Sequence, residues 1–305
     1  MAAPLTASEL LALSETDVTV RLTPQQFVPV LSQAPFIHVE GTFNVRDIGK
    51  LPASASCPNA PTVRPGFVFR SGMLAHLTDK GKATLASDLG VRRVFDFRSK
   101  REHAMAPDPV PADSVTMVWQ ETAEETPDVS LAPYAEGLGE AGFAATYLEV
   151  LDAYQQTVKM LLEHVRDRPD EPFLFHCTAG RDRTGVMAGL LLTLAGVPAD
   201  TIALDYMLSR IGSEPVRDKL EAFARMGAGI PSRKADEGSS TADAAVAAAA
   251  PPGFLNLVSL RVACWNAFLE ALDKKHGGFE GYVTKVLGMT EADIATIKKN
   301  LTTAP

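Results

Sequence analysis

A chain of 305 residues, 46% of them hydrophobic, is long enough to bury a sizeable core. Its formal net charge of −8 argues against an overall attraction to nucleic acid or an anionic membrane, so any anion site must be a local basic pocket. No apolar run reaches the ~18 residues of a spanning helix, and the first residues carry Glu9 and no basic region before a short apolar stretch, so neither an integral membrane segment nor a signal peptide is expected. Three cysteines, Cys57, Cys177 and Cys264, form an odd, sparse set that suits a reducing, cytoplasmic setting better than a disulfide framework.

Along the chain, residues 1–35 show a short helical pattern at Leu10, Leu11 and Leu13, after which Pro24, Pro29 and Pro35 break any long element. This region is expected to be an N-terminal extension packed on a main domain at 36–305. Phe36 to Gly49 suggests strands, and Leu51 to Thr62 a loop. Thr78 to Leu89 reads as a helix closed by Gly90 and feeding the strand Val91 to Phe97, a step typical of α/β folds. Residues 102–141 are rich in Pro, Gly, Asp and Glu and predict loops with short elements near the mouth of a site. Tyr147, Val150, Leu151, Tyr154, Val158, Leu161, Leu162 and Val165 keep helical spacing until Pro169. Pro172 opens a strand at Phe173 to Phe175, and the run Val186 to Ala195 is a helix stopped by Gly196 and Pro198. Asp200 to Ser209 and Ser213 to Met226 predict further helices. A low-complexity insertion follows at about 227–253, and the segment from about Ile211 to Gly253 is expected to form or hinge a cover over the site, the insertion otherwise being a passive linker. Leu255 to Lys275 is helical up to Gly277 and Gly278. Two short helices, Phe279 to Leu287 and Thr290 to Leu301, close the chain, the second with Thr290 and Asp293 spaced as an N-cap pair.

The stretch that carries chemistry runs from Phe173 to Gly185, where a buried strand enters a tight loop that opens onto a helix. The first N–H groups of that helix lack helical partners, and the dipole adds about half a positive charge, so the loop is a cup for an anion. Cys177, at the strand end, faces the same field, which favours thiolate over thiol and makes a nucleophile without a dedicated base. Arg183, six residues on, can curl back so that its planar fork holds two oxygens of one phosphoryl group. Thr184 supplies a hydroxyl beside the sulfur, and Gly180 and Gly185 allow close backbone approach. A nucleotide-binding Gly-x4-Gly-Lys loop is excluded because Val186 and Met187 stand where Lys and Ser or Thr are required. Zinc is excluded because adjacent His176 and Cys177 point opposite ways along a strand. A papain-like thiol hydrolase has only His276 as a downstream base.

His176-Cys177-x5-Arg183-Thr184-Gly185 resembles the signature of the cysteine-dependent protein tyrosine phosphatase superfamily. The full wording, His176-Cys-Thr-Ala-Gly-Arg-Asp-Arg-Thr-Gly185, resembles the atypical tyrosine and lipid phosphatases of bacteria and fungi. Phe43-Asn-Val-Arg-Asp-Ile-Gly49, Val68-Phe-Arg-Ser-Gly72, Val94-Phe-Asp-Phe-Arg-Ser99 and Asp205-Tyr-Met-Leu-Ser209 agree with that family in the same order. The resemblance implies a tyrosine-phosphatase-like central sheet flanked by helices, with added C-terminal helices. It further implies a metal-independent phosphatase without cofactor, working on phosphorylated protein or phosphoinositide through a phosphocysteine. It assigns Cys177 as nucleophile and the loop Thr178, Ala179, Gly180, Arg181, Asp182, Arg183 and Thr184 as the phosphate cradle, with His176 in a supporting role.

The general acid is Asp182, inside the loop, or Asp128 in Thr126-Pro127-Asp128. Asp96, at the end of its strand, is expected on the site's side of the sheet, where it either supports the loop or assists proton transfer. Arg46 and Arg98 are either anion contacts or ordinary exposed arginines. Arg181 adds a second loop cation, placed either for a multiply phosphorylated substrate or for pairing with an acid such as Asp47 or Asp96. Two other readings of the loop are a sulfurtransferase or arsenate reductase, which needs a second thiol in reach, and a non-catalytic phospho-ligand binding module.

Overall fold

The computed structural model describes residues 5–54, 56–122, 129–231 and 250–305. Its centre is a five-stranded sheet in the order β1-β2-β5-β3-β4, built from β1 (Arg46–Asp47), β2 (Val68–Ser71), β3 (Arg93–Asp96), β4 (Thr116–Trp119) and β5 (Phe173–His176). β5 lies parallel between β2 and β3, β4 continues parallel beyond β3, and β1 pairs antiparallel with β2. A central parallel strand is covered on both faces and so reads as unbroken apolar sequence. Phe173, Leu174 and Phe175 are accordingly all buried, with Phe173 and Phe175 in one apolar cluster and Leu174 in the cluster on the other face. In register, Ser71 and Asp96 flank His176, so β2, β5 and β3 end at one edge and Cys177 follows directly there.

The larger cluster is roofed by α5 (Glu140–Ala153), α6 (Gln155–Asp167), α7 (Asp182–Ala195) and the C-terminal helices α11 (Val262–His276), α12 (Gly278–Lys285) and α13 (Glu291–Thr302). The opposite face carries α3 (Asp79–Ala83) with the wider turn Thr84–Asp88. α1 (Ala7–Ser14) and α2 (Pro24–Leu31) pack on α8 (Ala199–Gly212), where Leu10, Leu22 and Val30 meet Leu204, Leu208 and Ile211. The other α-helices among the described residues are α4 (Lys100–Met105), α9 (Arg217–Gly227) and α10 (Phe254–Val258).

Several boundaries differ from the sequence reading. The long helix from Tyr147 to Val165 is two helices broken at Tyr154, whose backbone leaves the helical region at φ −106°, ψ 19°. The Tyr154 ring packs 5.8 Å from that of Phe97 and its hydroxyl takes a bond from Arg183, so tertiary contacts override an unbroken apolar stripe. As expected of a stretch broken by Pro24, Pro29 and Pro35, α2 is short, and Pro24 is its first residue, where no N–H bond is needed. Phe36 to Gly49 holds the two-residue β1, a bridge from Phe36 to Arg46 and the start of a 3-10 turn at Ile48–Lys50. The 102–141 region contributes the edge strand β4, and Leu255 to Lys275 is interrupted between α10 and α11. Thr290 and Asp293 do cap α13 reciprocally, at 3.1 and 2.9 Å. Most of the low-complexity insertion, residues 232–249, lies outside the described residues. None of the described helices is long and apolar enough to cross a membrane.

Candidate active site

Cys177 leaves β5 almost fully buried, and its Sγ accepts a hydrogen bond from Thr184 Oγ1 at 3.1 Å. From Thr178 to Arg183 no backbone N–H is taken by a carbonyl among the described residues, and the chain then enters α7 with Gly185 N–H closing on Arg181 O at 2.7 Å. These open donors follow the cysteine into a helix N-terminus, which is the arrangement that binds an anion. The loop's shape depends on Gly180, whose φ of +62° disfavours any side chain and whose added Cβ would sit 2.3 Å from Ser71 O. Its carbonyl is clamped by Asn44 Nδ2 and Arg70 Nη2, both at 2.9 Å.

Arg183 is fixed by Glu102. Nη1 donates to Oε2 at 2.5 Å and to Phe97 O at 3.0 Å, and Nη2 donates to Oε1 at 2.7 Å. This leaves the Nε edge of the guanidinium, with the second Nη2 hydrogen, facing no acceptor among the described residues, while Arg183 lines the cavity above the loop. Glu102 also accepts from Thr178 Oγ1 at 2.6 Å and from Ser99 N–H at 2.8 Å. Burial opposes its ionisation, but Arg183, Thr178 and Ser99 together outweigh it and hold the carboxyl at about 2.

Asp182 opens α7 and accepts from Tyr147 O–H at 2.7 Å and from Arg181 Nε at 3.1 and 3.0 Å. Since Tyr147 spends its proton on Asp182, the 2.8 Å contact between the Tyr147 and Tyr206 hydroxyls has Tyr206 as donor. Burial, then the charge of Asp182, pushes Tyr147 well above the usual tyrosine value and keeps it a donor. Arg181 also donates to Val258 O at 3.0 Å and Leu257 O at 2.8 Å, tying the loop to α10. Its acid partner is thus its own neighbour, Asp182, rather than Asp47 or Asp96.

His176 and Asp96 lie beneath the loop, outside the cavity wall. His176 Nδ1 is 3.4 Å from Cys177 O, and Nε2 is 3.1 Å from Asp108 Oδ2 and 3.9 Å from Asp96 Oδ1. Asp96 accepts from Arg98 N–H and Nε at 2.9 Å and contacts His103 Nδ1 at 2.9 Å. Burial works against its charge, but His176, Arg98 and His103 hold the carboxyl well below the usual range. Asp96, Asp108 and His176 bring ligand atoms within 4.8 Å of one another, yet Arg98 donates to both carboxylates and already supplies the positive charge a metal would bring. Arg46 and Arg98 are both buried rather than exposed, and neither lines the cavity above the loop. Arg46 is fully buried on Asp205 at 2.7 Å, and Arg70 pairs with the same carboxylate, so Asp205 anchors the arginine that clamps Gly180. Burial first, then Arg70, pulls Arg46 down to about 10. Asp128 lies outside the described residues.

Above the loop sits a cavity of about 260 Å³ with Cys177, Thr178, Ala179, Arg181, Asp182 and Arg183 on its floor. Leu220 and Phe223 of α9 and Leu257 and Val258 of α10 make its sides largely apolar. Residues 37–303 match the model of the tyrosine phosphatase family. The chain belongs to that family. Among relatives, a tyrosine-protein phosphatase of Nostoc commune is 30% identical over 98% of this chain and 97% of its own length. The triple specificity protein phosphatase PtpB of Mycobacterium tuberculosis is 31% identical over 59% of this chain and 71% of its own. The protein is thus a phosphoric monoester hydrolase of tyrosine-phosphatase type with the α/β fold its loop motif implied.

Sequence reasoning passed over Glu102, Asn44, Arg70 and Tyr147 as site residues. Glu102 had one readable signal, the capping box Ser99-x-x-Glu102 that starts α4. That signal predicts a helix start and says nothing of an arginine 81 residues away.

Proposed function

We propose that the phosphatase hydrolyses aryl phosphomonoesters, phosphotyrosine foremost, through a phosphocysteine at Cys177. The observation that carries this reading is a cysteine followed by a run of open N–H groups at a helix N-terminus, with Arg183 lining the same cavity. Cys177 thiolate attacks phosphorus in line, forming the S–P bond as the bond to the ester oxygen breaks. The loop N–H groups and Arg183 hold the equatorial oxygens, and Asp182 is the group that passes a proton to the leaving oxygen. Water then attacks the phosphocysteine, passes a proton to Asp182, and releases phosphate with the thiolate restored. Positioning and charge stabilisation supply most of what phosphoryl transfer requires, so these residues need no cation for the reaction.

Apolar sides formed by Leu220, Phe223, Leu257 and Val258 suit an aromatic ring better than a polyanionic head group. The further cations that line the cavity are already partnered, Arg181 by Asp182 and two carbonyls, Arg210 and Arg217 by Glu214, and Arg225 by Glu221. A sulfurtransferase or arsenate reductase finds no support, because neither exposed Cys57 nor buried Cys264 lines the cavity, and burial pushes the Cys264 thiol up to about 11. The test is turnover of nitrophenyl phosphate, a phosphotyrosyl peptide and soluble inositol phosphates, with and without vanadate and a chelator. Vanadate-blocked, chelator-indifferent turnover with the peptide preferred is expected. Chelator sensitivity would refute the metal-free mechanism, and a higher kcat/KM on inositol phosphates would reverse the substrate order.

A further inference from the structure

The family match begins at residue 37, yet the wall of the cavity over Cys177 includes Val18 and Thr19. That segment is held in place at several points. Val20 O accepts from Arg210 Nη2 at 2.7 Å and from Arg217 Nη1 at 3.1 Å, and Val18 O accepts from Arg217 Nη2. Leu22 N–H donates to Glu214 Oε1 at 2.9 Å, and Glu214 in turn pairs with Arg210 and Arg217. Asp17 folds the turn by accepting both the N–H and the hydroxyl of Thr19, at 2.7 and 2.6 Å. Arg210 and Glu214 are more than nine-tenths buried, so these bonds are poorly replaced by water. The more exposed Arg21–Asp218 pair adds little. Leu10, Leu22 and Val30 then lock the segment onto α8, which leads into the turn preceding α9.

We infer that the segment Asp17–Leu22 is a specificity-determining wall of the phosphatase site, with Val18 limiting the size of the group that accompanies the phosphorylated ring. The inference rests on the proposed aryl-phosphate reading and extends it to a residue outside the family core. Two constraints meet at this wall. Val18 and Thr19 form one side of the cavity, and the carbonyls of Val18 and Val20 hold Arg210 of α8 and Arg217, the first residue of α9, which presents Leu220 and Phe223 to the same space. A segment that only stabilised the fold would affect all substrates alike, whereas a wall discriminates by size.

The experiment measures kcat and KM of the full chain and of Val18→Phe and Val18→Ala on nitrophenyl phosphate and on a phosphotyrosyl peptide. Val18 is half-buried, so both variants are compatible with the fold. Phenylalanine narrows the cavity and should lower the peptide-to-nitrophenyl ratio of kcat/KM about tenfold, through KM for the peptide, while alanine shifts the ratio the other way; changes of this size are what a few carbon atoms in an apolar pocket produce. An active parent whose ratio stays within about twofold in both variants overturns the inference and leaves the phosphatase reading standing. A parent that turns over neither substrate overturns both.

Discussion

Replacing Glu102 with glutamine tests the idea that a buried carboxylate aims Arg183. Glutamine keeps the size, but it exchanges one acceptor for an NH2 donor facing a guanidinium that now meets Oε1 and Oε2 at 2.7 and 2.5 Å. Hydrogen bonds to charged groups contribute ~1.5–3 kcal/mol each, and the 12–19% exposure of the two side chains lets water recover part of the loss. A decrease of about 3 kcal/mol in unfolding free energy near neutral pH follows, on the order of one broken buried pair. A misaimed Arg183 also weakens transition-state binding, so kcat on nitrophenyl phosphate should fall ~10–100-fold, equivalent to about 1.4–2.7 kcal/mol. The carboxyl is depressed from 4.5 to about 2, against burial and through Arg183, Thr178 and Ser99. A depressed carboxyl contributes stability in full above its unfolded value and loses it as pH falls through the folded one, which sets the window at about 4.5 down to about 2. Urea unfolding of parent and Glu102→Gln near pH 7 and near pH 3 should show a gap that shrinks at the lower pH. A gap of equal size at both pH values, or a kcat within about twofold of the parent, would refute the reasoning.

Cys177→Ser should abolish turnover while the N–H cup and Arg183 still bind vanadate in a calorimetric titration, and turnover above a loop-deleted control would exclude the covalent route. Asp182→Ala should slow alkyl phosphates far more than nitrophenyl phosphate, whose leaving group hardly needs a proton; if Asp128→Ala shows that signature instead, the acid is Asp128. Gly180→Ala forces a side chain into a left-handed backbone and against Ser71 O, so both the melting temperature and kcat should drop, the backbone conformation alone costing ~1–2 kcal/mol. A variant with parental kcat would show that the loop tolerates another path.

The strand Phe173 to Phe175, the cup after it and the helix to Ala195 were legible because their causes are local. An unbroken apolar strand, a helix N-terminus and a Cys-x5-Arg spacing all lie within a couple of dozen residues, and each is a property of the backbone that those residues adopt. The edge strand β4 and the break at Tyr154 were not legible, since β4 is short and the stripe across Tyr154 keeps helical spacing on both sides. What only the tertiary structure decided is which distant polar group meets the loop. Glu102 reaches Arg183 across 81 residues, Asn44 reaches Gly180 across 136, Arg46 reaches Asp205 across 159, and Tyr147 reaches Asp182 across 35. Apolar side chains announce a buried face by their period, but a buried ion pair has no period. It is defined by where two elements end, and that is set by sheet order and register: β2 and β3 finish beside β5 and bring Arg70, Asp96 and the start of α4 to one edge. Arg46 and Arg98 show the consequence, for as sequence they are two charges that read as surface or as substrate contacts, and only the packing around them turns them into the fully partnered support of the loop.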